Sequence, residues 1–457
     1  MTQETQVREY RLCHIMDFSM TTPDPSSPLL EAFEHQDEIF ASAFSILQQA
    51  IANQAFPAAS VAITHRGRRV ALKALGTFTY DKEDGVLDLQ SPTPKPGAPF
   101  LAYFARKPAL SLSKGGDFSV TPSTLFDLAS LTKVVATTTM AMLLYERGLL
   151  DLDAPVSAIV PEFTNGPKKD PRRREVTLRM LLAHSSGLPA YEKLFLKTHT
   201  RDQLLQAAFT TPLAATPNTR AVYSDIGFII LGIALERLAD ESLDRFCQRE
   251  IFAPLAMTST TFNPPLDIRP QIPPTADERE EKQEETCGSD TPVRQLPEAF
   301  PKPSGSQTIR STFRKRIIQG EVQDENASIL GGVAPQAGLF STAADLAKFA
   351  HTMLQAGRPI LRPETVALFT RRESAPPGTS RALGWDTPSQ PSQSGKYFSP
   401  QSYGHLGYTG ASLWIDPDRQ LSVTLLTNRT WPDCSNQAIQ QIRPKFHDAI
   451  IEALTKD

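Results

Sequence analysis

The 457-residue sequence predicts an α/β (α+β) fold, with one lobe of antiparallel sheet flanked by helices and a second, mainly helical lobe. Three observations lead there. Runs of β-type residues near both ends each fold back on a turn, and the middle of the chain carries apolar residues at helical spacing. The length also exceeds one core of ordinary size, so two domains or one two-lobed domain is expected.

Residues 1–37 are polar and read as a poorly ordered N-terminal extension to a domain spanning 38–457. They lack an apolar core segment and a small-residue cleavage site, which predicts a cytoplasmic protein, although Met16 and Met20 are alternative starts. Residues 38–54 place Ile39, Phe40, Phe44, Leu47 and Ile51 at helical spacing. Residues 60–80 give two β-runs around Arg66-Gly67-Arg68, a hairpin. Residues 83–118 and 266–311 lose all periodicity, are broken by proline or charge, and read as irregular insertions. Between them, a helical lobe at about 126–265 contains strong helices at 130–149 and 225–240. Another helix is expected at 343–356, and a second hairpin at 412–428 turns on Asp416-Pro417-Asp418-Arg419. A last helix from Ser435 to Leu454 contains Pro444, which predicts a kink or a break.

Composition excludes several function classes. A net charge of -3 offers no basic face for nucleic acid. No apolar run reaches the ~18 residues of a membrane span. Cys13, Cys247, Cys287 and Cys434 show no C-x-x-C spacing and the eight histidines no H-x-x-x-H pair, so neither metal nor redox dithiol is expected, and no cofactor is called for.

The chemistry-bearing pattern begins with Ser130-x-x-Lys133, where positions i and i+3 share a helix face. A serine hydroxyl needs a base to become a nucleophile, and a lysine serves only if its pKa is lowered. Spacing alone is weak: by itself it favours a helix-capping serine beside a solvent-facing lysine. A second copy, Ser111-x-x-Lys114, sits between a proline and a glycine pair and reads as chance. The first copy gains weight from Tyr223-Ser224-Asp225 at the start of an apolar helix, and from His405-x-Gly407 leading into the second hairpin. A glycine there lets a substrate approach the strand backbone.

With these three motifs in this order, the chain resembles the serine β-lactamase and penicillin-binding superfamily, in its class C-like branch. That branch includes DD-peptidases, D-aminopeptidases and β-lactamase-like carboxylesterases. Ser130-x-x-Lys133 matches the first motif, Tyr223-Ser224-Asp225 stands for Tyr-x-Asn, and His405-Leu406-Gly407 for Lys-Thr-Gly. LLAHSSGLP at 181–189 and GGVAPQAGLFSTAADLAKF at 331–349 match in context, and the likeness spans about 38–457 less the insertions. It implies a covalent acyl-enzyme on Ser130, with Lys133 and Tyr223 sharing the proton work. The backbone N–H groups of Ser130 and Tyr408 would form the oxyanion hole, and His405 and Gly407 would contact a small-molecule ester, amide or β-lactam. The sequence carries no signal for oligomeric state.

Two departures from the family pattern set further expectations. His405 and Leu406 replace the Lys and Thr that help hold a substrate carboxylate, so carboxylate recognition is expected to be weak and an esterase or amidase favoured. Asp225 replaces asparagine; its charge would raise the pKa of Lys133 and leave most of the proton abstraction to Tyr223, or it would simply cap the helix. His184 reads as structural, and Pro335-Gln336-Ala337-Gly338 as a cleft-lining loop without an assigned role. The competing functions are a D-amino-acid peptidase or DD-peptidase, and a non-catalytic binding module.

Overall fold

Along the chain, strand β1 (Leu30–Glu31) leads to helix α1 (Ala41–Ala52) and to the hairpin strands β2 (Ala58–His65) and β3 (Arg68–Gly76). Strand β4 (Phe126–Asp127) is followed by a 3-10 turn at Ala129–Leu131, a π-helical stretch at Lys133–Thr138 and helix α2 (Thr139–Glu146). Helices α3 (Arg201–Thr210) and α4 (Asp225–Ala239) come next, then strands β5 (Thr261–Phe262), β6 (Pro274–Asp277), β7 (Ile317–Gln319) and β8 (Leu339–Ser341). Helices α5 (Ala343–Leu354) and α6 (Pro363–Thr370), strands β9 (Tyr403–Leu406), β10 (Ser412–Asp416) and β11 (Leu421–Thr427), and helix α7 (Ile439–Thr455) complete it. This computed structural model describes residues 29–80, 118–165, 169–279, 313–389 and 391–455.

The two predicted hairpins meet as one sheet of order β1-β3-β2-β11-β10-β9. All neighbours in it are antiparallel except the short edge pair of β1 and β3. The first hairpin closes because Arg66 and Gly67 both take positive φ, 49° and 76°, the geometry whose twist matches the flanking strands. The ends of the chain join where Val61 faces Leu425 and Ile63 faces Val423. One face of the sheet buries Val61, Ile63, Val423 and Leu425 against Phe44 and Leu47 of α1 and Phe446 and Ile450 of α7. The other face adds Ala62, Leu413 and Leu426 to a larger core with the helical lobe. A sheet covered on both faces explains why β2 and β11 read as nearly continuous apolar or small-residue runs.

Four expectations change. Leu30 and Glu31 pair with Arg68 and Arg69, so the sheet takes in residues that the apolar pattern left outside the domain. The segment 130–149 is not one α-helix: it widens at Lys133–Thr138, where the Thr139 hydroxyl donates to the Val134 carbonyl at 2.9 Å, five residues back, and Thr137 donates to Pro335 O at 2.7 Å. Side chains inserting into the helical ladder, in a run of β-branched residues, account for the widening. Helix α7 runs unbroken through Pro444. The Gln440 carbonyl that loses its partner to the proline accepts instead from Gln393 Nε2 at 3.1 Å.

The fourth change concerns the second insertion, whose first part is regular: β6 pairs with β7, and the buried side chain of Arg314 meets Glu278 at 2.5 Å. The rest of both expected insertions, the Ser111-x-x-Lys114 copy and most of the N-terminal extension lie outside the described residues.

Candidate active site

Ser130 follows Ala129, a non-glycine residue at φ 45°. Such backbone costs about 1–3 kcal/mol and persists where its surroundings hold it. Asp127 does the holding: its Oδ1 accepts from Ala129 N–H at 2.8 Å and its Oδ2 from Gln323 N–H at 2.7 Å. Ser130 therefore sits on a fixed bend inside a 3-10 turn and is not a helix cap.

Lys133 Nζ donates to Ser130 Oγ at 2.9 Å and to Gln336 O at 2.9 Å, and lies 2.7 Å from Asp225 Oδ1. Two hydrogen bonds and one ion pair thus hold the amine. The side chain is completely buried, against the rings of Tyr223 and Phe228. Burial pulls its pKa below the ordinary lysine value, against the opposing pull of Asp225. Asp225 thus acts in the expected direction, but desolvation outweighs it.

Tyr223 Oη donates to Ser130 Oγ at 2.7 Å. Burial, with Asp225 second, pushes its pKa well above the usual phenol value, so Tyr223 is held neutral. His184 sets its position: the imidazole Nδ1 accepts from Ser224 N–H at 3.0 Å, and the ring lies 4.7 Å from the Tyr223 ring and 5.0 Å from that of Phe228. Burial keeps His184 neutral, its pKa well below the ordinary value. It makes no hydrogen bond to Ser130 or Lys133 among the described residues, and it holds the backbone of a motif residue. The helix cap is Ser224, whose Oγ accepts from Gly227 N–H at 3.0 Å; Asp225, one residue inside, is free to face Lys133.

The third motif lies beside the nucleophile's bend. Thr409 Oγ1 donates to Asp127 O at 2.8 Å, and a Cβ at Gly407 would meet Leu128 O at 2.5 Å. Gly407 is therefore needed for close packing against the Ser130 segment, a reason beyond the expected approach of a substrate. Buried Arg443 from α7 holds the turn, donating to Gly407 O and Gly410 O, each at 3.3 Å. Tyr408 rides between them, its ring under the Arg429 guanidinium at 4.6 Å. His405 is buried, with its ring 5.9 Å from that of Tyr223. Its Nδ1–H points to Leu406 O at 2.7 Å, while Nε2 has no hydrogen-bond partner among the described residues. Desolvation, then Lys133 and Arg381, hold it neutral.

All seven singled-out residues, Ser130, Lys133, Tyr223, Asp225, His405, Gly407 and Tyr408, thus come together where three stretches of chain meet. The sequence reading missed three contributors. Gln336 offers its carbonyl to Lys133 while its side chain is tied to Asp324 at 3.3 Å. Asp324, whose pKa burial and Asp225 raise to about 6, also caps a short helix through Ala327 N–H at 2.6 Å. Arg381 places its guanidinium 5.6 Å from the centre of the Tyr223 ring. The loop of Gln336 was visible as a cleft segment; nothing in the local pattern marks Asp324 or Arg381.

The chain is similar to known proteins in both sequence and fold. The family described as Beta-lactamase matches residues 43–443. A protein of Escherichia coli (strain K12) named "Putative D-alanyl-D-alanine carboxypeptidase" is 33% identical over 328 residues, 68% of this chain and 70% of its own length. Its namesake in Salmonella typhimurium is 31% identical over 339 residues, covering 70% and 72%. Among solved structures, EstCE1, a hydrolase with promiscuous acyltransferase activity, superposes with a TM-score of 0.64 at 20% identity, over 91% of this chain and 99% of that one. A class C beta lactamase from Rhodobacter sphaeroides gives 0.58 at 20% identity, over 92% and 100%. The fold is the β-lactamase/transpeptidase-like one that the motif order implied. With the family match running through nearly all of the described chain, this protein belongs to the beta-lactamase family of serine hydrolases.

Proposed function

We propose that Ser130 is the nucleophile of an acyl-enzyme hydrolase of esters or amides, and that Lys133 is the base that takes its proton. One observation carries the reading: Lys133 Nζ lies 2.9 Å from Ser130 Oγ with a lowered pKa, while the other candidate, Tyr223, is held well above the phenol range. The base assignment therefore moves from Tyr223 to Lys133. In the acylation step the Ser130 proton passes to Lys133 in its deprotonated form and Oγ bonds the carbonyl carbon. Collapse then breaks the bond to the leaving group, which takes a proton from Tyr223 as that phenol is resupplied by Lys133. Water reverses the sequence to free Ser130. The N–H groups of Ser130 and Tyr408 are the proposed oxyanion donors, supported by the packing of residues 407–409 along Asp127–Leu128.

The test is turnover of p-nitrophenyl esters and of the chromogenic cephalosporin nitrocefin by the native protein and by Ser130→Ala, with fluorophosphonate labelling beside it. Loss of turnover and of label in the variant is expected. Turnover that survives Ser130→Ala would assign the chemistry elsewhere. A second reading, a carboxypeptidase acting on D-amino-acid peptides, is favoured by the names of the relatives that are 33% and 31% identical over 70% and 72% of their own length.

A further inference from the structure

Arg314 stands just before β7, outside all three motifs, with its side chain buried. Its guanidinium serves three groups at once. Nη1 donates to Val322 O at 2.7 Å, and Nη2 to Gln323 O at 2.7 Å and to Glu278 Oε1 at 2.5 Å. The Arg314 backbone N–H adds a bond to Glu278 Oε2 at 2.9 Å. Glu278 is buried as well, and its own N–H donates to Arg316 O at 3.1 Å, so the pair closes the end of the β6–β7 ladder.

The residues that Arg314 grips lead to the catalytic pair by two routes. Gln323 N–H donates to Asp127 Oδ2 at 2.7 Å, and Asp127 Oδ1 accepts from Ala129 N–H at 2.8 Å, in the bend that presents Ser130. Asp324, next in the chain, accepts from Gln336 Nε2 at 3.3 Å, and Gln336 O receives Lys133 Nζ at 2.9 Å. Residues 321–324 belong to no helix or strand, so Arg314 supplies to Val322 and Gln323 the carbonyl partners that a ladder would give. Only the planar fork of an arginine can span two carbonyls and a carboxylate; the three donors of a lysine radiate from one atom. The charge matters too. Burial raises the Asp127 pKa to about 6, and Arg314 is among the groups that pull against it, which keeps both Asp127 oxygens free to accept.

We propose that Arg314 is a positioning residue for the catalytic pair. By holding the Val322 and Gln323 carbonyls it sets the seat of Ser130 through Asp127, and the seat of Lys133 through Asp324 and Gln336. The proposal rests on the reading of Ser130 and Lys133 as nucleophile and base.

The experiment measures p-nitrophenyl ester turnover, urea unfolding and hydrogen exchange of the backbone at 127–131 in the native protein, Arg314→Met and Arg314→Lys. Arg173→Met is the control: Arg173 is also buried and donates to three carbonyls, those of Phe163, Phe209 and Thr211, which carry no residue of the site. Arg314→Met should lower kcat at least tenfold with KM within twofold, and Arg314→Lys should fall between it and the native protein. Arg173→Met should lose stability yet keep kcat within twofold. Exchange at 127–131 should quicken in Arg314→Met and stay native in Arg173→Met. A native kcat in folded Arg314→Met, or an equal loss in Arg173→Met, overturns the proposal. If Arg314→Met fails to fold, Arg314→Lys decides: a kcat at least threefold lower with KM unchanged supports the role, and a native kcat overturns it. If the native protein cleaves no ester and takes no fluorophosphonate, or if Ser130→Ala keeps its turnover, the hydrolase reading fails. Exchange then still judges the clamp: quicker exchange at 127–131 in Arg314→Met than in Arg173→Met upholds it, and equal exchange overturns it.

Discussion

Lys133 Nζ lies 2.7 Å from Asp225 Oδ1, so the group that must lose its proton is held beside the charge that keeps the proton on. Burial and this carboxylate pull the Lys133 pKa in opposite directions, and the balance fixes the pH at which the base becomes available. Asp225→Asn removes the upward pull on Lys133 and on Tyr223 alike. The rising limb of kcat/KM against pH, which follows deprotonation of the base, should move to lower pH by about one unit or more, the usual effect of an adjacent opposite charge. A limb that stays in place would uncouple Asp225 from the base.

Gly232 of α4 tests the seat of Lys133 from behind. A Cβ there would fall 1.9 Å from Pro335 Cγ, next to the Gln336 carbonyl that receives the lysine. Replacing a helix glycine by alanine ordinarily stabilises by about 0.5–1 kcal/mol. Here overpacking reverses the sign, and Gly232→Ala should cost about 1–3 kcal/mol in urea unfolding and lower kcat.

His184→Phe keeps an aromatic ring against Tyr223 but removes the acceptor for the buried Ser224 N–H. An orphaned donor costs about 1–3 kcal/mol, to be read as a lower urea midpoint. Because Ser224 is flanked by Tyr223 and Asp225, activity should fall as well. A histidine that merely filled space would tolerate the change with neither effect.

Arg443 does not reach Ser130, yet it holds the carbonyls on either side of Tyr408. Arg443→Met should loosen that turn and lower kcat by about tenfold, with KM much less affected, since oxyanion donors act mainly in the transition state. Equal changes in both parameters would point to general damage.

Much of this protein could be read from its residues in order. The two hairpins announce themselves through Arg66-Gly67 and Asp416-Pro417-Asp418-Arg419, because turn chemistry and β-periodicity are local properties. The three motifs could be paired across nearly three hundred residues because their order matched a family pattern. Beyond such local and motif signals, competition in three dimensions decided the outcome. Pro444 leaves α7 whole because a glutamine from another segment satisfies the lost carbonyl. Lys133 has a lowered pKa because packing strips its water more strongly than Asp225 compensates, a balance that spacing along a chain cannot express. Arg381 has no motif at all; only the folded chain brings its charge over Tyr223. The sequence by itself determined the two hairpins, the main helices and which side chains can do chemistry, since those follow from neighbours along the chain. The tertiary structure alone decided which of them hold protons and which charges stand beside them, since these depend on burial and on distances that close only on folding.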